Sequence, residues 1–454
     1  MTLPAIKELD YPVNCLSLNR DFPERYPYFL ESTARGESDN TRFDILFAFP
    51  AETLAWTQMQ SSPVDSGEDF LTRLNTRWQA SCGAKSCPAE LPFAGGWFVY
   101  LGYEIAAEIE HRLKLPLPET GLPRAFMTRI PVALINDHKL KKSYLVAEHK
   151  HALPELQVEA DLRAITVTEL ETDFYIEDMR EDPEQQYLEN VEIIKKYIYE
   201  GDVFQVNLSR QWSGSSKIRN LADRLYQHLR VCNPAPFAGI VKIGKQAILS
   251  SSPERLVKIK GRTVDTRPIA GTRARGASQQ DDDRLHSELL GNLKERAEHL
   301  MLLDLERNDL GRVCQPGSVK VTELMVVEPY AHVQHIVSNV TGQLRDEINP
   351  GDVLRAVFPG GTITGCPKER CMAIIAELEQ CGRGAYTGSM GYLNHDGSMD
   401  MNILIRTIVV EGERFNFRAG AGIVADSDAK RELDETRLKA EGLLRVFHQG
   451  AKQA

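Results

Sequence analysis

Two stretches of the 454-residue chain place paired acids at helical spacing. In KERAEHLMLLDLERNDLGR, Lys294–Arg312, Glu295 and Glu298 stand three residues apart and share one helix face, with His299 four residues from Glu295. Far along the chain, Glu432 and Glu435 repeat the spacing in a second helical stretch, Asp428–Val446. A lone Glu-x-x-Glu is ordinarily a solvated face. Two such pairs on helices able to face one another offer four carboxylates, the hard oxygen donors that suit Mg²⁺.

Phe358–Lys368, FPGGTITGCPK, is a glycine-rich loop leading into a helix with Met372, Ile375 and Leu378 along one side. Glycine lets backbone approach a ligand closely, and the free N–H groups of a helix start draw anions. The spacing of a phosphate loop is missing, and a plain turn is the simpler alternative for such a loop taken alone. Arg406, Lys439 and the cluster Gly420-Ala421-Gly422 add what a small molecule with several carboxylates needs. His335, in HVQHIVSNV, alternates with apolar neighbours on a strand; it is either a structural side chain or a proton carrier near neutral pH. Glu254, after Ser251-Ser252-Pro253, is a second candidate acid, at a strand entry where an exposed carboxylate is also ordinary.

These side chains need a frame. Runs of strand length recur through residues 1–175, at Phe43–Phe49, Gly96–Tyr103 and Ile130–Asn136, and the acidic stretch Glu169–Glu181 reads as a connection. Asp182-Pro183-Glu184-Gln185 predicts a helix start: Asp182 as cap, Pro183 at the first position, Gln185 closing a capping box. Leu188, Val191, Ile194 and Ile198 form its apolar stripe, and Gly201 ends it. Further strands are predicted at Phe204–Gln211, Phe237–Ile243, Ala247–Ser250, Arg255–Lys260, Thr263–Arg267, Ile336–Leu344, Ala385–Leu393, Met399–Val410 and Arg414–Ala421. Short turns between many of them imply antiparallel pairing. The expected fold class is α+β, with large antiparallel β-sheets in a two-layer sandwich flanked by helices. An N-terminal β-rich region, 1–175, and a catalytic region, 176–454, are expected to pack as one unit.

A net charge of -10 and a pI near 5.7, with basic residues dispersed among acids, leave no electrostatic footprint for nucleic acid. No apolar run is long enough to span a bilayer, and the first residues lack a basic region followed by an apolar one, so a cytoplasmic protein without a membrane segment is expected. The eight cysteines are scattered. Cys82 with Cys87 and Cys366 with Cys371 form two loosely spaced pairs without the flanks of a zinc knuckle, and all are read as thiols.

Taken together, the motifs resemble one family. SSPERL (251–256), RPIAGTRARG (267–276), KERAEHLMLLDLERNDLGR (294–312), the His335 segment, GTITGCPK (361–368), MDMNILIRT (399–407), AGAGIVADS (419–427) and ETRLKA (435–440) are similar to the blocks of the chorismate-utilising enzymes, in that family's order. FLES (29–32), RFDIL (42–46), LPFAGGWFVYLGYE (91–104) and NPAPF (233–237) extend the likeness towards the N-terminus. The resemblance implies that Glu298 and Glu435 hold Mg²⁺, with Glu295 and Glu432 acting on it through water. It implies that His335, Thr362, Tyr386, Arg406, Gly420, Gly422 and Lys439 contact chorismate, that Glu254 donates a proton, and that Thr272 belongs with Glu254 and His335 to the catalytic set.

Family members that add water carry a lysine base where this chain has Gln205, so ammonia is the expected nucleophile. Position 270 is alanine, as in anthranilate synthases, where aminodeoxychorismate synthases usually carry a nucleophilic lysine. RFDIL, GGWFVYLGYE, FPGGTITG and the short overall length resemble aminodeoxychorismate synthase component I, the expected branch. Anthranilate synthase component I, or a catalytically degenerate chorismate-binding subunit, is the alternative. FLES and NPAPF resemble elements that enclose tryptophan in this family, which implies a pocket lined by Ser32, Arg42, Phe43, Pro236 and Phe237. The chain lacks a G-x-C-x-G elbow with a following His-x-Glu pair, so ammonia is expected from a separate glutamine amidotransferase subunit or from solution.

Overall fold

Alternating apolar side chains force the strands to bury one face, and most here bury both, because two sheets lie face to face with helices outside them. The computed structural model describes residues 4–34, 41–57, 68–81, 90–166, 176–274, 293–329 and 333–448; the side chains of 270–274, 293–295, 327, 329, 333–335 and 448 lie outside that description. Among the described residues the larger sheet has 12 strands and the smaller 10, and every pair is antiparallel. No helix of the described residues is long and apolar enough to cross a membrane.

In the larger sheet the spatial order begins Ala5–Leu9, Lys142–Ala147, Val132–Asp137, Phe43–Ala48 and Tyr28–Glu31. It continues Phe237–Ile243, Gln246–Ser252, Thr407–Glu411, Arg414–Ile423, Gln205–Ser215 and Gly365–Cys366. The smaller sheet runs Ile269–Ala274, Val333–Gln343, Thr263–Thr266, Arg255–Lys260, Met399–Asn402, Ser389–Asn394, Gly96–Leu101, Ala125–Ile130 and Thr53–Trp56. Residues from both the 1–175 and the 176–454 segments therefore build each sheet. Aromatic rings close the gap between them. Tyr28 of the larger sheet stacks on Phe98 of the smaller at 4.4 Å between centroids, and Phe47 packs edge-on against the same ring at 5.3 Å. Phe47, Phe98 and Phe126 are fully buried, each contributing about 1.5–3 kcal/mol of apolar burial.

The chain passes between the sheets at two adjacent places. Gln246–Ser252 lies in the larger sheet and Arg255–Lys260 in the smaller, with Pro253 and Glu254 making the step. Met399–Asn402 lies in the smaller sheet and Thr407–Glu411 in the larger, with 403–406 making the return. The strand expected over Met399–Val410 is thus two strands in two sheets. Apolar Ile403, Leu404 and Ile405 hide the break, and Arg406 turns the chain at a positive φ of 50° without any glycine to signal it. Hydrogen bonds lock the crossings together: Ile403 N–H donates to Glu254 O at 3.0 Å, Ser251 N–H to Arg406 O at 3.1 Å, and Ser252 Oγ–H to Ile403 O at 2.5 Å.

Local rules fail at two other points. The predicted helix runs Glu184–Tyr199 with Tyr187, Val191 and Ile194 buried, but Asp182 does not cap it. Its carboxylate accepts the backbone N–H of Gln211 at 2.7 Å, because the neighbouring strand presents a donor that the helix start must compete with. Gln185 likewise reaches along its own helix to Glu189 at 2.8 Å instead of closing a capping box. The strand expected from Ala385 begins at Ser389, after tight turns in which Thr387 takes a φ of 62°.

Candidate active site

Glu254 sits at the first crossing, only 6% exposed. Burial pushes its carboxyl up to about 7, against the pull of Thr362, Lys439, Arg406 and the backbone of Ile269. Arg406, at the second crossing, makes no ion pair or hydrogen bond among the described residues through its guanidinium; burial holds its pKa below the usual arginine range, offset in part by Glu254. A protonated acid and an unpaired cation thus share the seam between the sheets, an arrangement suited to an anionic ligand that loses a leaving group.

The wall beside them is the strand pair Gln205–Ser215 and Arg414–Ile423, in which Asn207 stands opposite Gly422 and Ser209 opposite Gly420. A Cβ added to Gly420 would lie 2.8 Å from the Tyr386 hydroxyl and 2.7 Å from Asn207 Oδ1; one on Gly422 would collide with Gln205 Nε2. These glycines are required by close approach, not by turn geometry. Tyr386 is buried, and burial raises its hydroxyl to about 12, so it is a neutral donor. Lys439 Nζ reaches Gly420 O at 3.0 Å and Glu435 at 2.7 Å from the helix Ala429–His448.

From the helix Leu293–Gly311, Glu298 accepts a hydrogen bond from Gln205 Nε2 at 2.8 Å. Glu298 and Glu435 therefore approach the same short stretch, Gly420–Gly422, one through Gln205 and the other through Lys439. Glu432 and Glu435 both act on the buried Tyr187 hydroxyl, whose pKa is raised first by burial and then by these two charges. Among the described residues no three of His, Cys, Asp and Glu converge as a ready metal cage. The donors on this wall are nonetheless hard oxygens, including a buried Gln205 Oε1 with no partner among the described residues, and they fit Mg²⁺ in kind if a bound ligand and water complete the shell.

Ala270 occupies the extra position between Ile269 and Gly271 where the pairing with Val333–Gln343 shifts, and Thr272 stands opposite His335 in that register. The side chains of Ala270, Thr272, His335 and Glu295 lie outside the described residues. His299 turns away to the core, where Nε2 meets Ser338 Oγ at 2.5 Å and burial lowers its pKa to about 4. Two functional candidates escaped the sequence reading. Asn207 is one; alternation with Gln205 on the same strand face was its only signal. Glu306 is the other, in a run of charges that reads as solvent-facing but is 7% exposed.

A family model described as chorismate binding enzyme matches residues 26–445. The chain belongs to the chorismate binding enzyme family. It is 43% identical over 367 residues to the anthranilate synthase component I-like protein of Synechocystis sp., covering 79% of this chain and 74% of that one. It is 42% identical over 365 residues to aminodeoxychorismate synthase component 1 of Bacillus subtilis, covering 78% and 77%. The crystal structure of anthranilate synthase component I from Streptococcus pneumoniae TIGR4 superposes with a TM-score of 0.79 at 34% identity, over 90% of this chain and 93% of that one. The chain has the α+β sandwich of that structure, and its relatives are divided between proteins named aminodeoxychorismate synthase component 1 and proteins named anthranilate synthase component 1.

Away from the seam, a cavity of about 290 Å³ is lined by Arg42, Phe43, Pro236 and Phe237 together with Glu31 and Asp400. Arg42 is held by Asp137 at 2.6 Å and lies over the Phe43 ring at 4.5 Å. Ser32 is not part of this lining: its hydroxyl turns to Ala34 O at 3.3 Å, one residue past Glu31.

Proposed function

We propose that this enzyme is aminodeoxychorismate synthase component I, which aminates chorismate at C4 with ammonia and Mg²⁺. The observation that carries the reading is that FPGGTITG, one of the segments that resembles this branch, forms the turn whose Thr362 neighbours Glu254, so the branch-like segment is part of the seam itself.

Chorismate carries two carboxylates, and Arg406 and Lys439 are the cations to receive them. Glu254 gives its proton to the C4 oxygen as the C4–O bond breaks, and the oxygen leaves as water. Ammonia forms the C4–N bond; the proton it sheds returns to the Glu254 carboxylate, so the enzyme regains its starting form. Alanine at 270 has no amine to form an adduct with the ring, and ammonia attacks directly. Mg²⁺ would be held by Glu298 and Glu435, with Glu295 and Glu432 acting through water, and supplies a Lewis acid for the ring carboxylate when bound. The neutral Tyr386 hydroxyl orients the ring from the Gly420 side. His335 and Thr272, paired across the strands bordering Ala270, complete the catalytic set. Ammonia comes from a glutamine amidotransferase subunit, and tryptophan is the proposed occupant of the cavity beside Arg42 and Phe43.

Incubation with chorismate, Mg²⁺ and ammonium salt, with chromatographic separation, is the test. The expected product is 4-amino-4-deoxychorismate, converted to 4-aminobenzoate by added lyase. Anthranilate and pyruvate alone would overturn the reading in favour of anthranilate synthase, the reading that Ala270 favours. Chorismate bound but never turned over would indicate a degenerate subunit. Calorimetry with protein refolded free of tryptophan should show its uptake.

A further inference from the structure

The strand Gln205–Ser215 turns Gln205, Asn207, Ser209 and Gln211 to one face. Three of these side chains are spent on protein partners. Gln205 Nε2 donates to Glu298 at 2.8 Å, Ser209 Oγ donates to Glu379 at 2.7 Å, and Gln211 Oε1 accepts from Arg418 Nη1 at 3.3 Å. Asn207 differs. It is only 9% exposed, yet its side-chain amide makes no hydrogen bond among the described residues, and Oδ1 is a buried acceptor without a donor. Leaving such a group unpaired is expensive, and folded chains seldom do so.

The backbone of Asn207, by contrast, is fixed from both sides. Its N–H donates to Thr364 O at 2.9 Å, in the turn that carries Thr362, and its carbonyl accepts from Arg383 Nη2 at 2.8 Å. Across the ladder Asn207 stands opposite Gly422, and a Cβ on nearby Gly420 would lie 2.7 Å from Asn207 Oδ1 and 2.8 Å from the Tyr386 hydroxyl. The unpaired amide is therefore held between the Gln205–Glu298 contact on one side and the Tyr386 and Lys439 end of the wall on the other. A side chain that only joined strands would have paired its amide here. Neither end is tied to protein among the described residues, so the amide turns about its last bond without losing a hydrogen bond.

An orphaned acceptor calls for a ligand that donates. Chorismate offers two carboxylates and an ether oxygen, which only accept, and one hydroxyl at C4. In the proposed reaction Arg406 and Lys439 receive the carboxylates and Glu254 reaches the C4 oxygen; ammonia, with three N–H groups, is the reactant still without a partner. We infer that Asn207 binds the ammonia nucleophile: Oδ1 accepts one N–H and leaves the nitrogen lone pair free for the ring. A neutral amide suits this task better than a carboxylate, whose charge favours ammonium, a cation with no lone pair to give. The inference rests on the proposed amination of chorismate.

The test varies ammonium salt at saturating chorismate and titrates chorismate by calorimetry, in the parent, Asn207→Ala and Asn207→Asp. In Asn207→Ala, KM for ammonia should rise about tenfold or more, while the dissociation constant for chorismate stays within about twofold and the melting temperature does not fall, since no protein hydrogen bond is lost. Asn207→Asp, which keeps an acceptor in place, should hold KM for ammonia within about threefold of the parent and lose kcat instead. An unmoved KM for ammonia in Asn207→Ala overturns the inference. Weakened chorismate binding in its place would assign the amide to the C4 hydroxyl and overturn it as well, and an equal rise in both variants would make the loss one of shape. If Asn207→Ala fails to fold, Asn207→Leu, close to asparagine in outline, carries the same expectations. Either 4-amino-4-deoxychorismate or anthranilate as product leaves KM for ammonia readable, so a change of branch does not touch the inference. A parent that never turns chorismate over sinks the amination reading, and the inference falls with it.

Discussion

Two buried glutamates lie close to the same pair of strands and meet opposite fates. Glu379 accepts from Ser209 N at 2.9 Å, Ser209 Oγ at 2.7 Å and Arg383 Nη2 at 2.7 Å, and Arg418 Nη2 comes within 3.2 Å. Burial pushes its pKa up, but these donors and the two guanidiniums outweigh it, and the carboxyl ends below its ordinary range. Glu254, as deeply buried, has weak help and rises to about 7. Depth alone therefore decides nothing. What separates a buried carboxylate that stays ionised from a buried carboxyl that keeps its proton is how many donors the fold spends on it.

Substitutions can test that contrast. The largest effect belongs to Glu254→Gln, expected to lower chorismate turnover about 10²–10⁴-fold while leaving the fold intact by circular dichroism. Glu379→Gln should do the reverse, costing about 3–5 kcal/mol in denaturant unfolding because two buried arginines lose their counter-charge. Arg406→Gln, which removes a cation that makes no ion pair among the described residues, should raise KM for chorismate about tenfold or more without lowering the melting temperature; a large loss of stability would erase the distinction between the clusters. Gly420→Ala should cost about 1–3 kcal/mol of stability, and activity with it, by forcing Asn207 and Tyr386 apart.

The pH dependence sharpens the same comparison. Glu254 has a folded pKa above its unfolded value, so its contribution to stability is complete below about pH 4 and is lost as pH rises through about 7. Glu379, with a lowered pKa, contributes above its unfolded value and loses that contribution as pH falls through its folded one. Melting curves of Glu254→Gln should thus run above the parent at pH 8 and converge at pH 4, whereas those of Glu379→Gln should lie furthest below the parent at neutral pH. Parallel curves would show that neither group carries the linkage.

Helical spacing and turn residues sufficed to foresee the antiparallel α+β frame and to nominate Glu298, Glu435, Arg406 and Glu254. They did not reveal that Met399–Val410 changes sheets, because a chain passing through a dry core stays apolar on both sides of the step. Asp182 defeated the capping rule through a donor 29 residues away, which no local window contains. Glu306 was missed because polarity in sequence is read as exposure, and only the packing of the Gly360–Gly361 turn shows which face of the helix is closed.

The interleaving of early and late strands has a consequence for synthesis. Tyr28–Glu31 presents an open edge until Phe237–Ile243 leaves the ribosome, and Gly96–Leu101 waits for Ser389–Asn394. Neither sheet can finish while the chain is being made, so nascent forms expose unpaired apolar edges for most of translation. Arrested chains ending near residue 240 should accordingly be protease-sensitive and bound by chaperones, and resistance should arrive only once the last strands are released.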